Sequence, residues 1–173
     1  MKPKNEAKNY ITPEGYDRLA AEWDFLRHKK RPAVVSALAD AAAEGDRSEN
    51  AEYIYRKKQL REIDRRLQFL SGRLDIAEVV NPKDQPQRDR VFFGAEVTVT
   101  TEEEDEVTYR IIGEDEIDGK RRWVSWKSPI GKALLGKKLD DTVIAEWHAG
   151  QRELTIVAIR YDWEGSGVMP EFI

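Results

Sequence analysis

The sequence predicts an α+β protein in which a long antiparallel helical hairpin precedes a curled antiparallel sheet with one short helix. Apolar residues recur at steps of three and four up to about residue 80 and alternate with polar residues beyond residue 90. Between these regions lies the polar segment NPKDQPQRDR, which contains two prolines. The formal charge changes at the same place, with 16 basic and 14 acidic residues up to Val80 and 13 and 19 after it. We therefore predict a hairpin over 1–80, a linker over 81–90, a globular domain over 91–161 and a tail over 162–173.

The first helix of the hairpin is predicted to begin at Pro13, with Thr12 as its N-cap. An apolar stripe continues to about Glu44. Pro32 interrupts the stripe, but strong helix formers follow it, so we expect a kink and not an end. Gly45 is expected to end the helix.

The second helix is predicted to begin near Asp46, and its apolar residues follow the three-and-four spacing of a coiled-coil seam: Leu60, Ile63, Leu67, Leu70 and Leu74. Two helices of about 30 residues with a rise of 1.5 Å per residue form a hairpin about 45 Å long. Its tip has the sequence GDRSEN at positions 45–50. We expect this tip to lie far from the rest of the protein.

The second half is predicted to form five strands, over residues 91–100, 107–113, 122–126, 142–148 and 153–161. One short helix interrupts them, with Ser128 as N-cap, Pro129 as first residue and Gly136 as stop. An antiparallel sheet curled around this helix would bury a common set of apolar residues: Leu134, Leu135, Ile144, Ile156 and Ile159.

The composition excludes several kinds of site. The chain has no cysteine, so it forms no disulfide or thiolate zinc site, and its two histidines, His28 and His148, lie far apart in sequence. No segment approaches the roughly 18 apolar residues that a membrane span needs. We expect a cytoplasmic protein that does not bind a membrane.

Asp46 and Glu49 are the candidate functional acids at the tip. Their spacing of three residues places them on one face if that segment is helical. The pair could form a capping box at the start of the second helix, or it could hold a divalent cation. Two carboxylates on a thin tip would form only half of a magnesium site, so any chemistry there requires another protein to complete it.

A basic run follows the tip, interrupted by only two acids: Arg56, Lys57, Lys58, Arg61, Arg65 and Arg66. Such a run could be a solvated helix face or a surface for nucleic-acid phosphates. Tyr53 and Tyr55 could stack on bases, although Tyr53 lies on the seam and is expected to pack.

The run EGDRSENAEYIYRKKQLREIDRRLQFL resembles the hairpin of the Gre transcript cleavage factors of bacterial RNA polymerase. Four other segments are similar to that family and occur in its order: ITPEGYDRLAAEWDFL, FFGAEVTV, IIGEDEI and SPIGKALLGKKLDD. The resemblance covers about residues 10–161. Arg47 and the long basic run favour the GreB type, and the family implies an FKBP-like globular half.

The resemblance also implies a function. The globular half would dock at the rim of the secondary channel of bacterial RNA polymerase, and the hairpin would enter that channel. Asp46 and Glu49 would then help the polymerase to hold its second Mg²⁺ ion and to hydrolyse backtracked RNA, while Ser48 and Asn50 would orient water or the acids, or cap the helix. The basic run would face the 3′ segment of the nascent RNA. Such an accessory factor has no enzyme activity and no cofactor of its own, and we expect a monomer.

Other functions remain open at the level of the sequence. One is a regulator that enters the same channel without stimulating cleavage, although the acidic tip is intact here. A peptidyl-prolyl isomerase would need an apolar pocket, which the sequence cannot reveal. A coiled-coil scaffold would explain the hairpin but not its tip. The loop at 128–132 is a candidate docking surface.

Overall fold

The computed structural model describes residues 8–45, 50–165 and 171–172. These residues divide into two compact units. The globular unit contains the described residues of 8–16 and 77–165, and the hairpin unit contains those of 17–45, 50–76 and 171–172. The predicted α+β class is confirmed, with a helical hairpin followed by a curled sheet and a short helix.

The helical hairpin consists of two limbs. The first limb is continuous but changes from an α-helix to a π-helix and back: α1 spans Pro13–Phe25, a π-helical segment spans Leu26–Lys30, and α2 spans Arg31–Ala43. The second limb is α3, which spans Ala51–Asp75. In the π segment, the Arg31 N–H bonds to the Leu26 carbonyl five residues earlier. Pro32 follows directly and lacks an N–H, and α2 continues past it to Ala43, so the prediction that Pro32 does not end the helix is confirmed, while the predicted kink stays a prediction.

The spacing of the buried residues gives a second reason for the π segment. Leu19, Leu26, Val34 and Ala41 are all buried, and the steps between them are seven, eight and seven residues. Two turns of a regular α-helix hold about 7.2 residues, so the eight-residue step requires local widening. The π segment takes up the extra residue and keeps one apolar stripe on the seam.

Polar contacts join the two limbs along the seam. Ile63, Leu67 and Leu70 of α3 are buried. Beside them, the Trp23 indole N–H donates to the Ser71 hydroxyl at 2.9 Å. Two cross-limb ion pairs, Arg31 with Asp64 and Arg66 with Glu22, lie nearer the solvent. The seam predicted from the three-and-four spacing is therefore an antiparallel helix interface.

The globular unit contains a five-stranded sheet in the order β5-β4-β3-β7-β6. Its strands have these bounds: β3 Glu96–Thr101, β4 Glu106–Ile112, β5 Trp123–Ser125, β6 Thr142–Trp147 and β7 Gly150–Arg160. Three neighbouring pairs are antiparallel, but β4 and β5 are parallel, with Arg110 opposite Trp123. The prediction of a wholly antiparallel sheet is therefore wrong. The connection at 113–122 brings the chain back along β4, so that β5 runs in the same direction as β4.

The core of this unit lies between the sheet and α4, which spans Pro129–Leu134. Ser128 caps α4 by accepting the Gly131 N–H at 3.1 Å, and Gly136 has a positive φ of 78°, as predicted. The prediction for Ile144 is wrong because this residue is 62% exposed. Its neighbours Val143 and Ala145 point into the core instead.

The boundary of the hairpin differs from the predicted break at Val80. Strand β1, Asn9–Ile11, pairs in parallel with β2, Ala77–Val79, so both ends of the hairpin sequence belong to the globular unit. Within the predicted linker, Pro82 is buried in this unit, whereas most of residues 81–90 are exposed. In the predicted tail, the Trp163 indole donates to the Gly94 carbonyl at 2.7 Å.

Over the described ranges, none of the helices is long and apolar enough to cross a membrane.

Candidate functional site

The tip acids Asp46 and Glu49, together with Arg47 and Ser48, lie outside the described residues. The structure does describe the two helix ends that flank them. Helix α2 ends at Ala43, and Gly45 has a φ of 128°, a conformation that favours glycine.

Asn50 joins the two limbs beside the tip. Its side-chain carbonyl accepts the Tyr53 N–H at 3.0 Å, which makes it the N-cap of α3. Its side-chain amide donates to the Ala41 carbonyl at 2.7 Å. Helix α3 begins at Ala51, so the predicted start near Asp46 is wrong. The capping-box alternative for Asp46 and Glu49 concerns residues outside the described ranges, and the described N-cap of α3 is Asn50.

The predicted basic run divides into two groups on α3. Lys57, Lys58, Arg61 and Arg65 are exposed, and no ion pair with another described residue is found for them. Because 57, 61 and 65 are spaced by four residues, they share the face opposite the seam. This outward face carries four positive charges that are available to a partner.

The other two members of the run have structural partners. Arg56 donates to Glu52 at 2.7 Å on its own helix. Arg66 makes a two-bond contact with Glu22, at 2.6 and 2.9 Å, and its guanidinium lies 5.2 Å from the centre of the Phe69 ring. These contacts hold the Arg56 and Arg66 side chains along the hairpin, and the RNA surface of six residues stays a prediction.

A second basic stretch was missed from the sequence. The π segment and the start of α2 read RHKKR at 27–31, and Arg27, His28 and Lys29 are exposed. In the same stretch, a hydrogen bond to Asp64 raises the pKa of the Arg31 guanidinium. The sequence signal for this surface was the run of five consecutive basic residues, which lies within the stretch that the apolar spacing assigned to the seam.

An open groove of about 430 Å³ lies on one side of the hairpin unit, between the π segment and α3. Its floor contains the apolar side chains of Leu26 and Ile63. Polar and aromatic groups surround this floor: Glu22, Lys30, Tyr55, Lys58, Gln59, Glu62 and Arg66. Tyr55 is 57% exposed, whereas Tyr53 is partly buried.

The residues that could hold a metal ion are few. Among residues 8–45, 50–165 and 171–172, no three His, Asp or Glu side chains come together as a ligand set. His28 lies 3.7 Å from Asp24, and His148 lies at the turn between β6 and β7. The donors implied by the resemblance, Asp46 and Glu49, offer carboxylate oxygens, which are the ligands that Mg²⁺ prefers.

Comparison with known proteins decides the family. The model described as "Transcription elongation factor, N-terminal" matches residues 9–79, and "Transcription elongation factor, GreA/GreB, C-term" matches residues 85–161. The chain belongs to the GreA/GreB family of transcription elongation factors.

Two similar proteins are named transcription elongation factor GreB. The Yersinia pestis protein is 48% identical over 88% of this chain and 89% of its own length. The Xanthomonas axonopodis pv. citri protein is 50% identical over 92% of this chain and 95% of its own length. The predicted GreB-type resemblance is confirmed by these relatives.

A solved structure, the GreA factor homolog 1 protein of Thermus thermophilus, covers 88% of this chain and 99% of its own chain, with 21% identity and a TM-score of 0.41. This likeness is too distant to carry any detail of the site.

Proposed function

We propose that this elongation factor enters the secondary channel of bacterial RNA polymerase and stimulates the polymerase's own hydrolysis of backtracked RNA. In this proposal the hairpin tip carries Asp46 and Glu49 to the active centre, where their carboxylates complete the shell of the second Mg²⁺ ion. When bound, that ion supplies stabilisation of the attacking and leaving oxygens. Ser48 would orient water or the acids, and the globular unit would dock at the channel rim as a monomer.

The proposal rests mainly on the observation that the N-cap of α3 is Asn50. Asn50 caps α3 and bonds to Ala41 across the tip, so the start of α3 does not require either acid. Two carboxylates that precede a helix capped by another residue are suited to binding a cation presented by a partner. Family membership supports a role in elongation, and the intact acidic tip favours cleavage over channel binding alone.

The basic residues provide the second part of the proposal. Lys57, Lys58, Arg61 and Arg65 would attract the phosphates of the extruded 3′ RNA segment without reading its sequence. Arg56 and Arg66 would contribute less because acids of the hairpin already neutralise them.

The proposal is tested with RNA polymerase complexes backtracked by known lengths, in the presence of magnesium. Addition of the wild-type protein should accelerate RNA cleavage. Asp46→Asn and Glu49→Gln should bind the polymerase as the wild type does and lose the stimulation, because only the ligand charge changes.

Glu44→Gln is the matched control. It also removes one exposed acid next to the tip, yet it should retain full stimulation. Equal cleavage by the wild type and both tip variants would exclude the carboxylates from the reaction. Polymerase binding without any stimulation by the wild type would favour a regulator that does not act on cleavage.

A further inference from the structure

We infer that the groove between the π segment and α3 binds a nucleotide of single-stranded RNA, with the base on Tyr55 and the phosphate near Lys30 and Lys58. This inference rests on the proposed function, because it makes the extruded RNA the ligand. It adds a base-binding site to a surface that otherwise recognises only charge.

The size and chemistry of the groove fit one nucleotide. Its volume of about 430 Å³ falls within the usual range for small-molecule sites. Leu26 and Ile63 form an apolar floor, and the lining contains three cations and two acids, which leaves a net charge of +1. Glu22 is paired with Arg66, so the net charge of +1 comes from Lys30 and Lys58 against Glu62. This balance favours an anion in the groove.

Tyr55 provides the surface for the base. Its side chain is 57% exposed although it is aromatic and lies in the first turns of a helix whose seam buries other apolar groups. The Arg56 guanidinium lies 5.4 Å from the centre of its ring and helps to fix the ring's position. Aromatic rings held in this way bind bases of any sequence by stacking.

Polar groups beside the ring complete the site. The Gln59 side-chain carbonyl accepts the Arg56 guanidinium at 3.1 Å, which leaves its amide N–H groups to donate to a base edge, and Glu62 can accept from an amino group or a ribose hydroxyl. Lys58 is exposed and makes no ion pair with any residue in the described part of the chain. With a rise of 1.5 Å per residue, Tyr55 lies about 8 Å and Arg66 about 24 Å along α3 from Asn50. An RNA strand leaving a catalytic centre at the tip would pass this groove.

The inference is tested with the full chain and a single-stranded RNA of about ten nucleotides that contains 2-aminopurine, a base whose fluorescence falls when it stacks. Wild-type protein should bind the RNA and quench the fluorescence. Tyr55→Ala should bind about tenfold more weakly and not quench, whereas Tyr55→Phe should behave as the wild type because it keeps the ring.

Ile54→Ala is the matched control, because Ile54 is a similarly exposed large apolar residue of α3, 52% exposed, that does not line the groove. It should leave binding and quenching unchanged. Equal effects of Ile54→Ala and Tyr55→Ala, or no effect of Tyr55→Ala, would overturn the inference.

Competition distinguishes RNA from smaller phosphates. Adenosine monophosphate should displace the RNA weakly, and inorganic phosphate should displace it more weakly still, because it lacks a base. Equal displacement by both would show that the base contributes nothing and would reject the site. Tight binding of adenosine monophosphate without RNA binding would reassign the groove to free nucleotides.

The test of the groove and the test of the proposed function can fail independently of each other. Asp46→Asn should keep RNA binding and quenching even though it loses cleavage stimulation. Failure of the groove test with intact cleavage rejects only the base site, and failure of cleavage with intact quenching rejects only the role of the tip.

Discussion

The Asn50 side chain donates to the Ala41 carbonyl at 2.7 Å, so one residue connects the end of α2 to the start of α3. The same side chain accepts the Tyr53 N–H, and its two functions use different atoms. A substitution can therefore remove one function and keep the other. Among the described residues, Asn50 therefore holds together the two helix ends on either side of the tip.

Substitution of Asn50 should separate these two functions. Asn50→Ala loses both bonds and should lower the free energy of unfolding by about 1–2 kcal/mol. Asn50→Asp keeps a capping oxygen but has no donor for Ala41, so its loss should be smaller but measurable. Thermal unfolding followed by circular dichroism gives the comparison. An Asn50→Asp protein as stable as the wild type would show that the bond to Ala41 contributes no stability.

The buried carboxylate of Glu116 should be more important for stability than its acidic neighbours. It is 4% exposed, accepts the N–H groups of Thr12 and Gly113 at 3.1 and 3.0 Å, and accepts the Thr12 hydroxyl. Glu116→Gln places an amide donor among these donors and should cost about 1–3 kcal/mol in urea unfolding.

Glu114→Gln is the control for that experiment. Glu114 pairs with Lys127 at 3.3 Å, and both side chains are at least one-third exposed. Exposed pairs contribute less than about 1 kcal/mol, so this variant should unfold almost as the wild type does. Equal losses for the two variants would contradict a special role for the buried acid.

Tyr161 should make the globular unit sensitive to alkaline pH. Its hydroxyl accepts the Phe92 N–H at 2.8 Å and donates to the Arg90 carbonyl. Burial raises the pKa of Tyr161 above the ordinary value of 10.0. The unfolded chain then loses its proton first as the pH rises, so stability is complete below about pH 10 and falls above it.

Tyr161→Phe tests this dependence. The variant should be about 1–3 kcal/mol less stable at neutral pH, because a buried N–H and a carbonyl lose their partner. Its stability should also fall less steeply above about pH 10. The burial of Tyr109 raises the pKa of that residue too, so part of the alkaline loss should remain. An identical slope in variant and wild type would exclude Tyr161 as a source of the pH dependence.

Much of the fold was predictable because the relevant signals are local. The spacing of apolar residues identified both limbs, and the cap at Ser128 and the stop at Gly136 marked α4 within a residue. By contrast, the pairing of β1 with β2 joins two three-residue segments far apart in the chain, too short to show a period. The prediction for Ile144 was wrong for another reason: it followed the size of a single apolar side chain, whereas the alternation of β6 places Val143, Ala145 and Trp147 on one face and Ile144 on the face with Thr142 and Glu146.

The candidate site was predictable in part. A motif and its resemblance indicated the tip acids and the basic run without any structure. Whether Asn50 caps the helix or orients the acids was open, because both functions suit an amide. The partners of Arg66 and the groove around Tyr55 depend on which residues of the opposite limb lie beside α3. That register is fixed by tertiary packing and by the eight-residue step at the π segment.

The outward face of α3 should determine the salt dependence of RNA binding. Removing two unpaired cations with Lys57→Ala and Arg61→Ala should reduce the slope of log affinity against log salt by about 1.4, or about 0.7 for each phosphate contact with a single strand. Arg56→Ala is the control for the slope alone, because Glu52 already pairs with that charge; its affinity is not compared, since Arg56 also holds the Tyr55 ring. If the double variant keeps the wild-type slope in a salt titration, Lys57 and Arg61 do not contact RNA phosphates and form only a solvated helix face.

The π segment has two causes, the missing N–H of Pro32 and the eight-residue step from Leu26 to Val34, and mutation can separate them. Pro32→Ala restores the N–H but leaves the seam register unchanged. If packing of Leu26 and Val34 holds the π segment, this variant should keep it and bind RNA within about twofold of the wild type.

Deletion of Lys29 in the Pro32→Ala background should then convert the segment to a regular α-helix. The step becomes seven residues, close to two regular turns, so the apolar stripe stays on the seam without widening. Lys30 remains four residues before Val34, so it stays on the side of the groove, and RNA binding should remain within about twofold of the wild type while the hairpin stays folded. Amide hydrogen exchange across residues 26–31 reports the conversion. Regular α-helical exchange in Pro32→Ala alone would instead show that proline, and not the seam, maintains the π segment.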